Sequence, residues 1–161
     1  IEYLEGVLDQ ISKVWHYDLW AIKRYLIAVE SDQKSMDNLL DLLYSLESLF
    51  PRNTSTDLIK MTCITYLSRN RTEGIKLKNT LDAAFTIRNK IVHGERSYDV
   101  MDTIKIGGKK VAAQKVYWDI KLVVAHMIII ALYKMINTTG MEHLRFTFDD
   151  LLDNIYKARI I

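Results

Sequence analysis

The chain has 161 residues, enough for one ordinary hydrophobic core, and its 49% hydrophobic and 26% charged residues exclude a disordered polymer. Six Gly and one Pro are too few for an architecture of many short strands, so long helices are expected. The formal net charge is only +2, yet residues 68–121 hold 12 Lys and Arg against 6 Asp and Glu, while residues 1–67 hold 6 against 10. Such a basic middle third suits a phosphate or nucleic-acid surface, although a solvated face is the usual meaning of a charge surplus.

Leu4, Val7, Leu8, Ile11, Val14, Trp15, Leu19, Ile22, Leu26 and Val29 recur every three or four residues, which predicts one long helix over residues 4–30. Ser31 and Asp32 are placed to cap a second helix with the stripe Met36, Leu39, Leu40, Leu43, Leu46 and Phe50, and Pro51 should stop it. The capping-box spacing of Thr54 and Asp57 opens a short third helix, ending near Asn70. A fourth helix, capped by Thr72, runs through Leu77, Leu81, Ala84, Phe85, Ile91 and Val92 to a stop at Gly94. Periodicity then lapses. Residues 103–108 fit either a small hairpin or a loop, and a loop is expected. From Val111 to about Asn137 the pattern is helical and, past Leu122, apolar on nearly every face, as in a helix surrounded by others. Gly140 should close it. Thr147 and Asp150 repeat the capping-box spacing before a last helix with Leu151, Leu152, Ile155 and Tyr156.

These elements predict a single all-α domain over residues 1–161, an up-and-down bundle of five or six helices. The lone Cys63 excludes disulfide scaffolds and zinc cages and points to a reducing, cytoplasmic setting. The uncharged run at residues 122–133 is shorter than the roughly 18 residues of a bilayer span, so no membrane partner is expected. No targeting segment is visible at Ile1-Glu2-Tyr3-Leu4-Glu5, and a sequence beginning at Ile1 is expected to be a piece of a longer protein.

No phosphate-loop or His-Glu-x-x-His motif occurs, so no cofactor is expected. Cys63 reads as a small hydrophobe, His126 as a core histidine with one hydrogen bond, and Trp15, Trp20 and Trp118 as core or interface residues. His16 and His143 have no companion at metal-ligand spacing. Arg88 is different. With Leu81, Ala84 and Ile91 at minus seven, minus four and plus three, its guanidinium leaves from the apolar stripe, where a charge is costly unless it is paired or faces a wet groove. Asn89 and His93 share a helical face, where they can hydrogen-bond. Arg88 and His93 diverge by about 140° on an ideal helix, so two copies of the chain would have to face each other to pool them.

Arg88-Asn89-Lys90-Ile91-Val92-His93-Gly94, closing a helix, resembles the R-x(4-6)-H signature of HEPN domains. Together with Leu46-Glu47-Ser48-Leu49-Phe50, some forty residues earlier, it is similar to the Apea-like branch. The resemblance covers about residues 30–137. It implies a helical bundle that forms a homodimer with its motifs together. In many members it also implies a metal-independent endoribonuclease that leaves a 2′,3′-cyclic phosphate, commonly in antiviral defence or as a toxin. Arg88, Asn89 and His93 would then be the catalytic residues and RNA the partner. The toxin branch has Tyr two residues after the His; Glu95 stands there, with the nearest Tyr at Tyr98, so nucleotidylation of that Tyr is not expected. Other members are inactive scaffolds, which leaves a noncatalytic dimerisation or nucleotide-binding module as the alternative.

Overall fold

A computed structural model describes residues 20–30, 36–94, 102–106, 108–137, 146–147 and 150. The expected helix before Trp20, the Ser31 and Asp32 cap, the Gly140 stop and the helix after Asp150 lie outside the described residues, as do Trp15, His16, Glu95, Tyr98 and His143. In chain order the elements are α1 (Trp20–Glu30), α2 (Met36–Ser48), α3 (Thr56–Leu67), α4 (Arg71–Val92), β1 (Thr103–Ile106), β2 (Lys109–Ala112) and α5 (Ala113–Asn137). The protein is mostly helical with one two-stranded antiparallel sheet.

Helix α2 lies against α1, α4 and α5, and Leu39, Leu42, Leu43 and Leu46 on it are fully buried. Each such side chain contributes about 1.5–3 kcal/mol of burial free energy. Small residues bring α1 close. Ala21 and Ala28 are buried there, and the Ser45 hydroxyl donates to the Ala21 carbonyl at 2.6 Å. The Tyr117 hydroxyl of α5 donates to the Ala28 carbonyl at 3.0 Å, which ties α1 from the other side.

Helix α2 ends just before Pro51, as expected, and Gly94 follows α4 with φ of +67°, a conformation that glycine adopts without a Cβ penalty. Two caps differ from expectation. The Ser55 side chain, not that of Thr54, accepts the Leu58 N–H and starts α3, while the Thr54 hydroxyl bonds back to the Pro51 carbonyl. Helix α4 starts earlier than expected, because Asn70 rather than Thr72 accepts the Glu73 N–H. The glutamate side chain returns a bond to the Arg69 N–H. Gly74 lets α3 and α4 meet closely, since a Cβ there would lie 3.3 Å from Ile64.

The stretch expected to be a loop is a hairpin, with Ile104 opposite Val111 and Lys105 opposite Lys110. Its ribbon is held by Ile104, Ile106 and Val111, which pack on the core. Past it, the Thr147 N–H donates to the Asp150 carboxylate and the Asp150 N–H to the Thr147 hydroxyl, the reciprocal bonding that their spacing predicts. Phe146 docks beside them. Its N–H donates to the Leu49 carbonyl at 2.7 Å and its ring stacks near Phe50 and Tyr66, while Lys134 pairs with Asp150.

Helix α5 corrects the expectation of a fully surrounded element. It touches α1, α2, α3 and α4, but Trp118, Leu122, Ile129 and Tyr133 form an outward stripe, with Ile129 61% and Tyr133 70% exposed. His126 is on this stripe, exposed rather than buried, and its single hydrogen bond runs from Nδ1 to the Leu122 carbonyl of its own helix at 2.7 Å. The cause is geometric: among the described residues one stripe of the helix has no neighbour packed on it, and an apolar pattern with no polar face gives no sign of which stripe that is. The uncharged run is also embedded in a longer apolar helix. By length and composition the window Ala113–Met135, with mean hydropathy 1.6, suffices to cross a membrane, and 44% of it is buried inside the molecule.

Candidate functional site

The site is built where α4 crosses the end of α2. Arg88 is half-buried, and its Nη2 donates to Glu47 Oε2 at 3.3 Å, forming a salt bridge between two side chains that are each 26% exposed. Nη1 donates to Asn89 Oδ1 at 3.0 Å, and the guanidinium lies 5.9 Å from the centre of the Tyr44 ring. Nε is buried and has no hydrogen-bond partner among the described residues. The charge that Arg88 brings to the stripe is thus paired, beside an open cleft. Burial pushes the Glu47 carboxyl above its ordinary value, and the Arg88 charge and hydrogen bond oppose that rise.

The groove is a cleft of about 450 Å³ between Arg88, Glu47 and the turn after α2. That is within the usual size range of small-ligand pockets and accommodates a phosphate group. Pro51 ends the helix, and Asn53 takes φ of +67°, so the chain reverses within a few residues. Arg52 from this turn lines the same cleft as Arg88. The cleft is therefore bordered by two arginines and one glutamate.

His93 is elsewhere on the helix. It is the C-cap residue of α4, exposed, and its backbone N–H donates to the Asn89 carbonyl at 2.9 Å. Among the described residues its ring makes no hydrogen bond. The side-chain bond that Asn89 and His93 could make is replaced by the bond to Arg88, because the Asn89 carboxamide turns toward the cation. One chain therefore brings Arg88 and Asn89 together and leaves His93 apart. Glu47, Tyr44 and Arg52 were not expected as site residues; the phrase Leu46 to Phe50 contains Glu47, but its partner lies 41 positions away.

Cys63 is buried and its thiol is pushed up to about 12 by desolvation, consistent with a small hydrophobe rather than a nucleophile. Among the described residues no three His, Cys, Asp or Glu side chains are grouped to hold a metal ion. Compared with protein-family models, curated proteins and solved structures, the chain matches none of them.

Proposed function

We propose that the chain is a HEPN-like up-and-down helical bundle that dimerises and acts as a metal-independent endoribonuclease in a cytoplasmic defence or toxin setting. The observation that supports this best is a guanidinium held by Glu47 at the edge of a phosphate-sized cleft, with an exposed histidine closing the same helix. In the proposed reaction a histidine removes the proton of a ribose 2′-hydroxyl, the 2′-oxygen bonds to the adjacent phosphorus, and the bond from phosphorus to the 5′-oxygen breaks. The leaving oxygen takes up a proton, giving a 2′,3′-cyclic phosphate and a 5′-hydroxyl. Arg88 binds the nonbridging oxygens, whose charge grows in the phosphorane, and Asn89 orients Arg88. Because Arg88 and His93 diverge within one chain, Arg88 works with His93 of the partner subunit across a two-fold axis.

The test is a labelled single-stranded RNA incubated in EDTA with wild type and with His93→Ala, with product ends analysed. Cleavage to 2′,3′-cyclic phosphate by wild type only is expected. Equal cleavage by both would remove His93 from the mechanism. One observation favours a second reading: both Nη atoms of Arg88 already have protein partners, as in a noncatalytic dimerisation or nucleotide-binding module. Cleavage by neither protein, across varied RNAs, would select it.

A further inference from the structure

We propose that the β1–β2 hairpin is a docking arm for the phosphate backbone of single-stranded RNA whose reacting linkage lies at the Arg88 cleft, an inference that rests on the ribonuclease reading. The register of the ribbon motivates it. Lys105 and Lys110 are directly opposite each other, both exposed, and Lys109 is exposed opposite Ile106 next to the tip. Directly opposed like charges destabilise an antiparallel pair, and a two-stranded ribbon is a marginal structure to begin with. Thr103 and Ala112, the other pair on the outer face, add no counter-charge.

Four of the eight described lysines outside the hairpin are neutralised. Lys60 and Lys78 both hold Asp82, Lys115 holds Asp119, and Lys134 holds Asp150. Among the described residues Lys105, Lys109 and Lys110 have no such partner. Lys105 and Lys110, uncompensated on the outer face of a ribbon whose Ile104, Ile106 and Val111 pack on the core, form a fixed basic pair rather than a loose tail, with the exposed Lys109 beside Ile106 at the tip. β1 packs on α4, the helix that also bears Arg88. The outer face has only small side chains beside the lysines, which lets a polymer backbone approach, and phosphates bound there would relieve the repulsion between Lys105 and Lys110.

The experiment measures binding of a fluorescent, non-cleavable 2′-O-methyl RNA to the full chain over about 50–200 mM salt. Wild type, Lys105→Gln/Lys109→Gln/Lys110→Gln and the corresponding triple Arg variant are compared. The triple Gln variant should bind at least about tenfold more weakly at low salt and lose about 2 from the magnitude of its log–log salt slope, roughly 0.7 per phosphate contact. The triple Arg variant should bind as wild type does. Unchanged affinity and slope in the triple Gln variant, or no binding by wild type, would overturn the docking arm. So would displacement of the RNA by polyglutamate as effectively as by unlabelled RNA, which would indicate an acidic protein partner instead. The two readings fail separately. Loss of cleavage in His93→Ala with unchanged binding in the triple Gln variant leaves the ribonuclease and removes the arm; weakened binding in that variant without cleavage by wild type removes the ribonuclease.

Discussion

The two ends of the R-x4-H segment occupy contrasting environments. Arg88 is anchored in the fold by Glu47, Asn89 and Tyr44 and faces a cleft, whereas His93, one helical turn on, caps α4 in the open. An arginine that must hold a phosphate in fixed geometry gains from such pre-organisation. A histidine that exchanges protons needs access to the reacting groups and is best completed by whatever docks beside it. One copy of the chain thus holds Arg88 in a fixed setting beside a cleft and leaves His93 open to whatever docks beside it.

The largest effect should separate these ends. His93→Ala should lower cleavage about 10²- to 10⁴-fold, the range for loss of a proton-transfer group, while leaving the thermal midpoint nearly unchanged. A large fall in thermal midpoint would show that His93 belongs to the fold rather than to an open end. Next, Leu46→Ala should cost about 2–5 kcal/mol in chemical denaturation, because this fully buried leucine adjoins Glu47 beneath the Arg88 end. A cost below 1 kcal/mol would deny the core anchoring of that end.

Glu47→Gln sharpens the comparison through pH. The folded Glu47 carboxyl titrates above its ordinary 4.5, so the folded state keeps this proton longer than the unfolded chain does. Ionisation of this group therefore lowers stability as pH rises through 4.5 and beyond, until the folded value is passed. Glu47→Gln lacks that loss, so its stability relative to wild type should rise from acid to neutral pH, by no more than about 1 kcal/mol for a partly solvated pair. Cleavage should nevertheless fall, as Arg88 loses its charged anchor. A variant less stable than wild type by a margin that widens toward neutral pH would reverse the sign of this account. The smallest effect is expected from Asp82→Asn, in a partly exposed cluster with Lys60 and Lys78 away from the cleft. It should cost under about 1 kcal/mol and leave cleavage unchanged.

What the sequence made legible was local. The α2 stripe, apart from Leu40, which is only partly buried where Leu42 is fully so, the stop at Pro51, the glycine at position 94 and the Thr147 to Asp150 capping box depend on residues within a turn or two of each other and appear as read. Nonlocal features were hidden. Thr103-Ile104-Lys105-Ile106 does alternate, but four residues are too few to outweigh the two glycines after them, and the support of the ribbon comes from the core. The open face of α5 depends on where its neighbours end. Arg88 stood out because a charge broke an apolar stripe; Glu47 did not, because a glutamate at a helix end is ordinary until its distant partner is known.

Subunit mixing decides whether the proposed site is completed across two chains. Arg88→Ala and His93→Ala proteins, each inactive alone, are unfolded together and refolded as mixed dimers. If Arg88 of one protomer works with His93 of the partner subunit, half of the dimers contain one intact site. Activity should then return to about one quarter of wild type at equal total protein. A refolded mixture that dimerises normally and cleaves no faster than either variant alone would contradict the account.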